Sequence, residues 1–340
     1  MDRVAEAWQA WRWRRKRQLR LVRAFRKRGE LTAVADRTAR IAAGAVVLFC
    51  TFRNEALRLP YFLEHYRRLG VGHFLFVDND SDDGGAEFLE AQGDVSLWRT
   101  GASYRASRYG MDWLQWLLMS HGHGRWCVIV DADELLVYPH HDTRPLPALT
   151  DWLEARRIES FGALMLDMYP KGRVDRAVHA AGQDPMTVLQ WYDGANYTIT
   201  RKQDLHYLWI QGGVRSRMFL ADTPRRGPTL SKIPLVKWNR RYVCLNSTHS
   251  MLPRRLNLVY DSEGGELLSG VLLHTKFLHT IGAKSAEEKQ RRQHFGEPGA
   301  FDQYYDALIG TPDLWCAAST RYRGWRQLEA EGLMSRGEWG

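Results

Sequence analysis

From Gly44 onward the chain alternates short, continuously apolar runs with segments whose apolar positions recur at helical spacing. "AVVLFCTF" (Ala45–Phe52), "HFLFVD" (His73–Asp78), "VSLWR" (Val95–Arg99) and "WCVIVDAD" (Trp126–Asp133) are strand-length and read as strands covered on both faces. Between them lie three segments with helical period. They are Asn54–Leu69, with Leu57, Tyr61, Phe62, His65 and Leu69 on one stripe and Gly70 as stop, then Gly85–Gln92, then Ser107–Ser120. This alternation predicts an α/β fold with a mostly parallel central sheet and helices on both faces. Ligands of such sheets sit beyond the carboxyl ends of the strands.

After about Tyr138 the pattern loosens. A helix at Leu149–Arg157 and a strand at Phe161–Tyr169 are followed, over 170–280, by short strand-like pieces ("GGVRSRMF", "KIPLVKW", "YVCLNSTHSM", "VLLHTKFL") and turn signals. Lys284–His294 and Phe301–Leu308 have helical period again. With no internal repeat, the organisation expected is an arm over 1–40, one domain over 41–280 whose irregular half begins near 138, and a helical extension over 281–340.

The arm changes the picture most. On a 100° plot Val4, Trp8, Trp11, Leu19, Val22 and Phe25 share one face of a helix, with most basic residues elsewhere and Arg15 inside the stripe. Residues 1–40 hold 13 Lys/Arg and 4 Asp/Glu, a surplus of 9, which is the whole net charge of +9; the remaining 300 residues balance. A nucleic-acid function that needs a basic groove across the fold is therefore excluded. If half of the ten Lys/Arg between Arg12 and Arg28 met anionic lipid at ~1 kcal/mol each, attachment would be worth roughly 5 kcal/mol. The expectation is a peripheral contact with an anionic membrane surface; a helix packed on the domain or a solvated tail are the alternatives. No apolar run reaches the about 20 residues of a bilayer span, and the four cysteines show no metal or disulfide spacing, so a cytoplasmic protein at the inner face of a membrane is expected.

Two clusters of acids close predicted strands: "VDNDSDDGG" (Val77–Gly85) and "VDADE" (Val130–Glu134). At the end of a parallel sheet both face one crevice, where they repel unless something positive sits between them. Asp131 and Asp133, two residues apart, can both reach one hard divalent ion, whose other side suits a diphosphate. The plainer reading makes Asp78 and Asp83 turn residues and Asp131 and Glu134 caps. No Gly-x-Gly-x-x-Gly or Walker spacing follows a strand.

"TFRNEALRLPYFLEHYRRLGV", "FVDNDSDDGG", "YRASRYG" and "VIVDADEL", in that order over 45–137, resemble the family-2-like bacterial nucleotide-sugar glycosyltransferases of GT-A fold. The later "GGVRSRMF", "LSKIPLVKW", "STH" and "LLHTKFL" resemble companion segments of one bacterial subgroup. The resemblance implies a nucleotide-binding half over 41–137 and an acceptor half over 138–280. It places Thr51, Asn54 and Glu55 beside the nucleotide, Asp78 and Asn79 at the nucleobase or ribose, Asp83 in that loop, and Arg108 on the diphosphate or base. Asp131 and Asp133 become the DxD pair holding Mn²⁺ or Mg²⁺, with His274 as a further ligand and His249 as its rival. Asn79 stands where a second acid is usual, which bears on the base; a UDP-sugar is the default donor. Inverting transfer to a glycan or lipid-linked acceptor, in surface polysaccharide assembly, is the implied reaction, with Asp167 and Asp193 as candidate bases. Lys232, Lys237, Arg215 and Arg217 are candidates for phosphate or acceptor. A metal-dependent phosphoesterase and a non-catalytic membrane-surface adaptor are the alternatives; Asp133→Ala would abolish metal-dependent donor hydrolysis in an enzyme and change nothing in an adaptor.

Overall fold

The structure, a computed structural model, describes residues 3–223, 227–262, 265–291 and 302–340. Nine strands form one sheet: β1 Thr32–Ala35, β2 Val46–Phe52, β3 Val71–Asp78, β4 Val95–Arg99, β5 Trp126–Ile129, β6 Glu134–Val137, β7 Ser160–Asp167, β8 Ser231–Lys237 and β9 Ser269–His274. Their order is β1-β4-β3-β2-β5-β8-β7-β9-β6. Strands β2, β3, β4, β5, β7 and β9 run one way and β1, β6 and β8 the other, so the sheet is mostly parallel in direction. The α/β architecture read from the sequence is the one found.

The helices are α1 Arg3–Lys27, α2 Leu59–Arg68, α3 Gly85–Glu90, α4 Met111–Leu117, α5 Leu146–Ala155, α6 Gly213–Phe219, α7 Ile281–Arg291, α8 Asp302–Ile309 and α9 Trp325–Ala330. Alternation along the strands sends side chains to two cores. Val46, Leu48 and Cys50 of β2 and Phe74 and Phe76 of β3 meet α2, α3 and α5 on one face. Val47, Phe49, Leu75 and Val77 meet Trp113, Leu114 and Leu117 of α4 on the other. The C-terminal segment is built into the first core through Trp325, Leu328, Met334 and Trp339.

Several boundaries differ from the periodicity for physical reasons. The helix expected from Asn54 starts at Leu59, because Asn54 is left-handed (φ 52°) and Pro60 fits only the first turn. The helix expected from Ser107 starts at Met111, because Arg108, Tyr109 and Gly110 are all left-handed (φ 57°, 59° and 76°). Strand β5 stops at Ile129, before the DAD turn, and Glu134–Val137 then crosses to the far edge of the sheet as β6. Part of the arm belongs to the sheet: β1 pairs antiparallel with β4, with a break in register between Ala33 and Ala35. His294 and Phe301, expected at helix ends, lie outside the described residues. Among the described residues no helix is long and apolar enough to cross a membrane.

Candidate functional site

A cavity of about 490 Å³ opens where the sheet topology leads one to look, at the carboxyl ends of β2, β3 and β5. Thr51 and Phe52 come from the end of β2, Arg53, Asn54, Glu55 and Arg58 from the turn into α2, Asn79 from the end of β3, and Asp131, Ala132, Asp133 and Glu134 from the turn after β5. Arg215 of α6, Lys232 of β8 and His274 of β9 close one side, with Lys276 just beyond. The opposite wall is one face of α7: Ile281, Lys284, Ser285, Glu288 and Arg291 recur at helical spacing and all line the cavity.

The turns at the strand ends are fixed by local hydrogen bonds. Asn54 N–H donates to Ser81 Oγ at 3.0 Å, Asp82 N–H to Asn54 Oδ1 at 3.0 Å, and Ala56 N–H to Asp83 Oδ2 at 2.7 Å, which laces the turn after β2 to the turn after β3. Thr275 clamps the DAD turn, donating from N–H (2.7 Å) and hydroxyl (3.0 Å) to the carbonyl of Asp133. Gly110 has no room for a side chain: a Cβ there would lie 2.9 Å from Thr51 Oγ1 and Cγ2, so the 104–110 loop closes directly on the cavity wall.

Two pairings of β9 explain the chemistry at the far side. In register, His274 stands opposite Asp167 of β7 and Glu134 of β6. Its Nδ1 lies 2.5 Å from Asp167 Oδ1 and its Nε2 3.0 Å from Asp133 Oδ2. Burial alone would lower the imidazole's pKa, but Asp133 and Asp167 on either side raise it to about 9, so it is an imidazolium donating from both nitrogens. Asp167, buried and held by Arg215 Nε at 2.7 Å as well as by His274, is correspondingly held down at about 2 against the effect of its burial.

The positive partner that the acids require comes from the chain. Lys232 Nζ lies 2.8 Å from Asp131 Oδ2 and also contacts Glu134, whose other oxygen accepts from Asp131 N–H at 3.1 Å. Burial opposes the charge on Lys232, yet Asp131 and Glu134 raise its pKa above the ordinary value. The lysine is carried in by β8, which lies between β5 and β7 and breaks register between Lys232 and Leu235, around Pro234, a residue strands accommodate only at such breaks or at edges. The acids after β3 are treated alike: Asp78 caps Ser81 N–H at 2.9 Å and ion-pairs with Arg99 Nε at 3.3 Å.

This corrects the expected metal centre. Asp131, Asp133 and His274 do not form a three-ligand set: Asp131 holds Lys232, while Asp133 holds His274. Among the described residues no group of three His, Cys, Asp or Glu side chains is arranged to hold an ion. Asp131, Asp133 and His274 are therefore not arranged as one three-ligand site, because each carboxylate is paired with a different cation of the protein.

Of the nucleotide-side candidates, Thr51, Asn54, Glu55 and Asn79 line the cavity, and Asp78, Asp83 and Arg108 do not. Asp78 and Asp83 are turn-building residues; Arg108 Nη2 donates to the carbonyls of Cys244 (2.9 Å) and Leu245 (2.8 Å), tying the first half of the chain to the second. Neither candidate base faces the cavity: Asp167 is locked between Arg215 and His274, and Asp193 is gripped by Arg217 through Nε and Nη2, both at 2.9 Å. His249 does line it; burial lowers its pKa to about 4, and its Nδ1 sits 2.8 Å from the Ser231 carbonyl.

The sequence reading missed Arg58, Lys284 and Glu288. Arg58 ion-pairs with Glu55 at 2.6 Å, and Lys284 with the other oxygen of Glu55 at 2.5 Å. Glu288 bonds Arg291 through Oε1 at 3.2 Å, while its Oε2 is buried with no partner among the described residues. Burial raises its pKa. The signal was present, since Lys284, Glu288 and Arg291 share a helical stripe, but a charged stripe ordinarily means a solvated face.

No family model matches the chain, and no curated protein matches it. One solved structure, assigned as a glucose-1-phosphate thymidylyltransferase from Bacillus anthracis and determined in complex with a sucrose, overlaps 75% of this chain and 98% of its own at 9% identity. The TM-score of that overlap is 0.37, a likeness that carries no argument about function.

Proposed function

We propose that the cavity binds a nucleoside-diphosphate sugar and transfers the sugar to a hydroxyl acceptor, making the protein a glycosyltransferase. The observation that carries this reading is a set of three buried polar atoms on the cavity wall that lack hydrogen-bond partners among the described residues: Thr51 Oγ1, Arg215 Nη2 and Glu288 Oε2. Buried polar atoms are nearly always paired, so three orphans around one cavity mark where a ligand's own groups belong. Arg215 Nη2 asks for an anion and Glu288 Oε2 for a hydroxyl. Lys232 adds a further donor, because its ammonium has three N–H groups and two acidic partners. A diphosphate joined to a sugar answers both demands.

In this reading the unpartnered Nη2 of Arg215 and the third N–H of Lys232 face the diphosphate, while His274, both of whose nitrogens are taken by Asp133 and Asp167, holds those carboxylates in place; no step runs through an ion. Thr51 and Asn79 line the nucleotide end, beside Tyr104. The acceptor oxygen attacks the anomeric carbon while its proton passes to Glu288 Oε2. The bond from that carbon to the diphosphate breaks, and its electron pair leaves on the phosphate oxygen. Attack opposite the leaving group inverts the anomeric centre. Glu288 replaces Asp167 and Asp193 as the base because it alone of the three lines the cavity and has a carboxyl pKa raised towards the working range. The acceptor is the glycan or lipid-linked saccharide of surface polysaccharide assembly that the resemblance implies.

The test is calorimetry and thermal stabilisation with UDP, GDP, dTDP and their sugar conjugates, each with Mn²⁺ and with a chelator. Stabilisation by at least one of them that survives chelation is the expected result. If none binds under either condition the transferase reading is wrong. Binding that appears only with Mn²⁺ leaves the transferase standing and removes the role given to Lys232.

A further inference from the structure

We infer that α1 is a docking element for an anionic lipid surface, through the face it turns away from the protein. The helix packs by its less apolar side: Ala24 is fully buried, Trp13 and Leu21 lie against Leu205, Tyr207 and Val243, and Arg23 ion-pairs with Asp112 at 2.5 Å. Trp8, Trp11, Leu19 and Val22 point the other way, and Phe25 borders them with its ring edge on Trp116; the five are 46–59% exposed. At 100° per residue these five fall within an arc of roughly 120°, centred roughly 160° from Ala24. A helix on an ordinary protein surface buries its apolar stripe; α1 leaves its stripe exposed, with exposed arginines around it.

The charge around the stripe identifies the occupant. Arg12, Arg14, Arg15 and Arg26 are exposed beside or within it, and Glu6 is the single acid in a helix with ten Lys/Arg. Arg12 lies over the Trp8 ring at 4.7 Å and Arg15 over Trp11 at 5.6 Å, so each indole carries a cation at its face. Tryptophan rings at headgroup depth with arginines reaching for phosphates are what an interfacial helix requires. A second copy of the chain fits poorly. Pairing along positions 8, 11, 15, 18, 22 and 25 would bury Arg15 and Gln18 and would set arginines against arginines in either orientation. Arg23 also donates to the carbonyl of Ala106, in the loop whose Tyr104 lines the cavity, so the docking helix is joined directly to the cavity wall.

The experiment uses the full chain with vesicles of phosphatidylcholine alone and of phosphatidylcholine with phosphatidylglycerol, read by co-sedimentation and tryptophan emission. Binding to the anionic vesicles alone, weakening with added salt and accompanied by a blue shift, is expected. Trp8→Ser with Trp11→Ser should lower partitioning at least ~10-fold. The thermal midpoint should stay unchanged, since both residues are exposed. The inference is overturned by no binding to anionic vesicles, by equal binding to both compositions, or by undiminished binding of the double variant. A concentration-dependent dimer that the variant dissolves, without vesicle binding, would overturn it in favour of self-association.

Discussion

Replacing Lys232 with methionine removes the cation and keeps the volume. Glu134 is fully buried and would be left without its ionic partner, whereas Asp131, with a side chain 56% exposed, can turn to water. Deleting one member of a buried pair costs about 3–5 kcal/mol. With an unfolding entropy of about 2.1 cal/mol/K per residue, a 340-residue chain unfolding as one unit loses about 4–7 °C of melting temperature for that amount. The deficit should shrink as pH falls. Burial already pushes the Glu134 carboxyl up, and without the lysine it takes up a proton more readily in the folded than in the unfolded chain, which favours the folded variant in acid. Adding Glu134→Gln should restore more than half of the lost stability, since the amide oxygen can still accept from Asp131 N–H. It should not restore ligand binding: losing one charged donor to a diphosphate weakens affinity by roughly 10–100-fold in both variants. Scanning fluorimetry at several pH values and titration calorimetry with the tightest nucleotide read out both effects. The reasoning is refuted if Lys232→Met melts within roughly 1 °C of the parent, or if either variant binds nucleotide as the parent does.

Glu288→Gln should leave nucleotide affinity unchanged and lower turnover ~10²–10⁴-fold, measured as transfer or donor hydrolysis; an unchanged rate would remove Glu288 as the base. His65, buried with Nε2 2.9 Å from the Leu136 carbonyl, has its pKa lowered to about 3 by burial. Stability from keeping it neutral is complete above pH ~6.5 and is lost as pH falls towards 3, about 4–5 kcal/mol in all, so His65→Gln should melt with a flatter acid limb than the parent. In β7, Gly162→Ala would bring a Cβ within 2.6 Å of Val259 Cγ2 and 3.0 Å of its carbonyl oxygen, and should cost about 1–3 kcal/mol in denaturant titration.

The first half of the fold was legible because its strands are continuously apolar and its helices periodic, the pattern that a sheet covered on both faces imposes. The requirement for positive charge among the acids was also readable from "VDADE". Its identity was not, because Lys232 lies 98 residues beyond Glu134 and reaches it only through a non-sequential strand order in which β8 enters beside β5. A lysine in "SKIPLVKW" carries no local mark of the acids it will meet. Arg108 misled for the opposite reason: motif position suggested a ligand contact, while three consecutive left-handed residues aim it at the carbonyls of Cys244 and Leu245. The stripe of α1 was visible from spacing alone, but which side would pack was not, since burial of the opposite face depends on Leu205, Tyr207 and Val243 arriving from the second half.

The two ends of the sheet have a consequence for how the protein behaves when crowded. Both terminate in strands of four residues, β1 and β6, and β1 is broken in register where it meets β4. A short, irregular border offers a neighbouring molecule few consecutive main-chain donors and acceptors, so nine strands do not become a template for an endless ribbon.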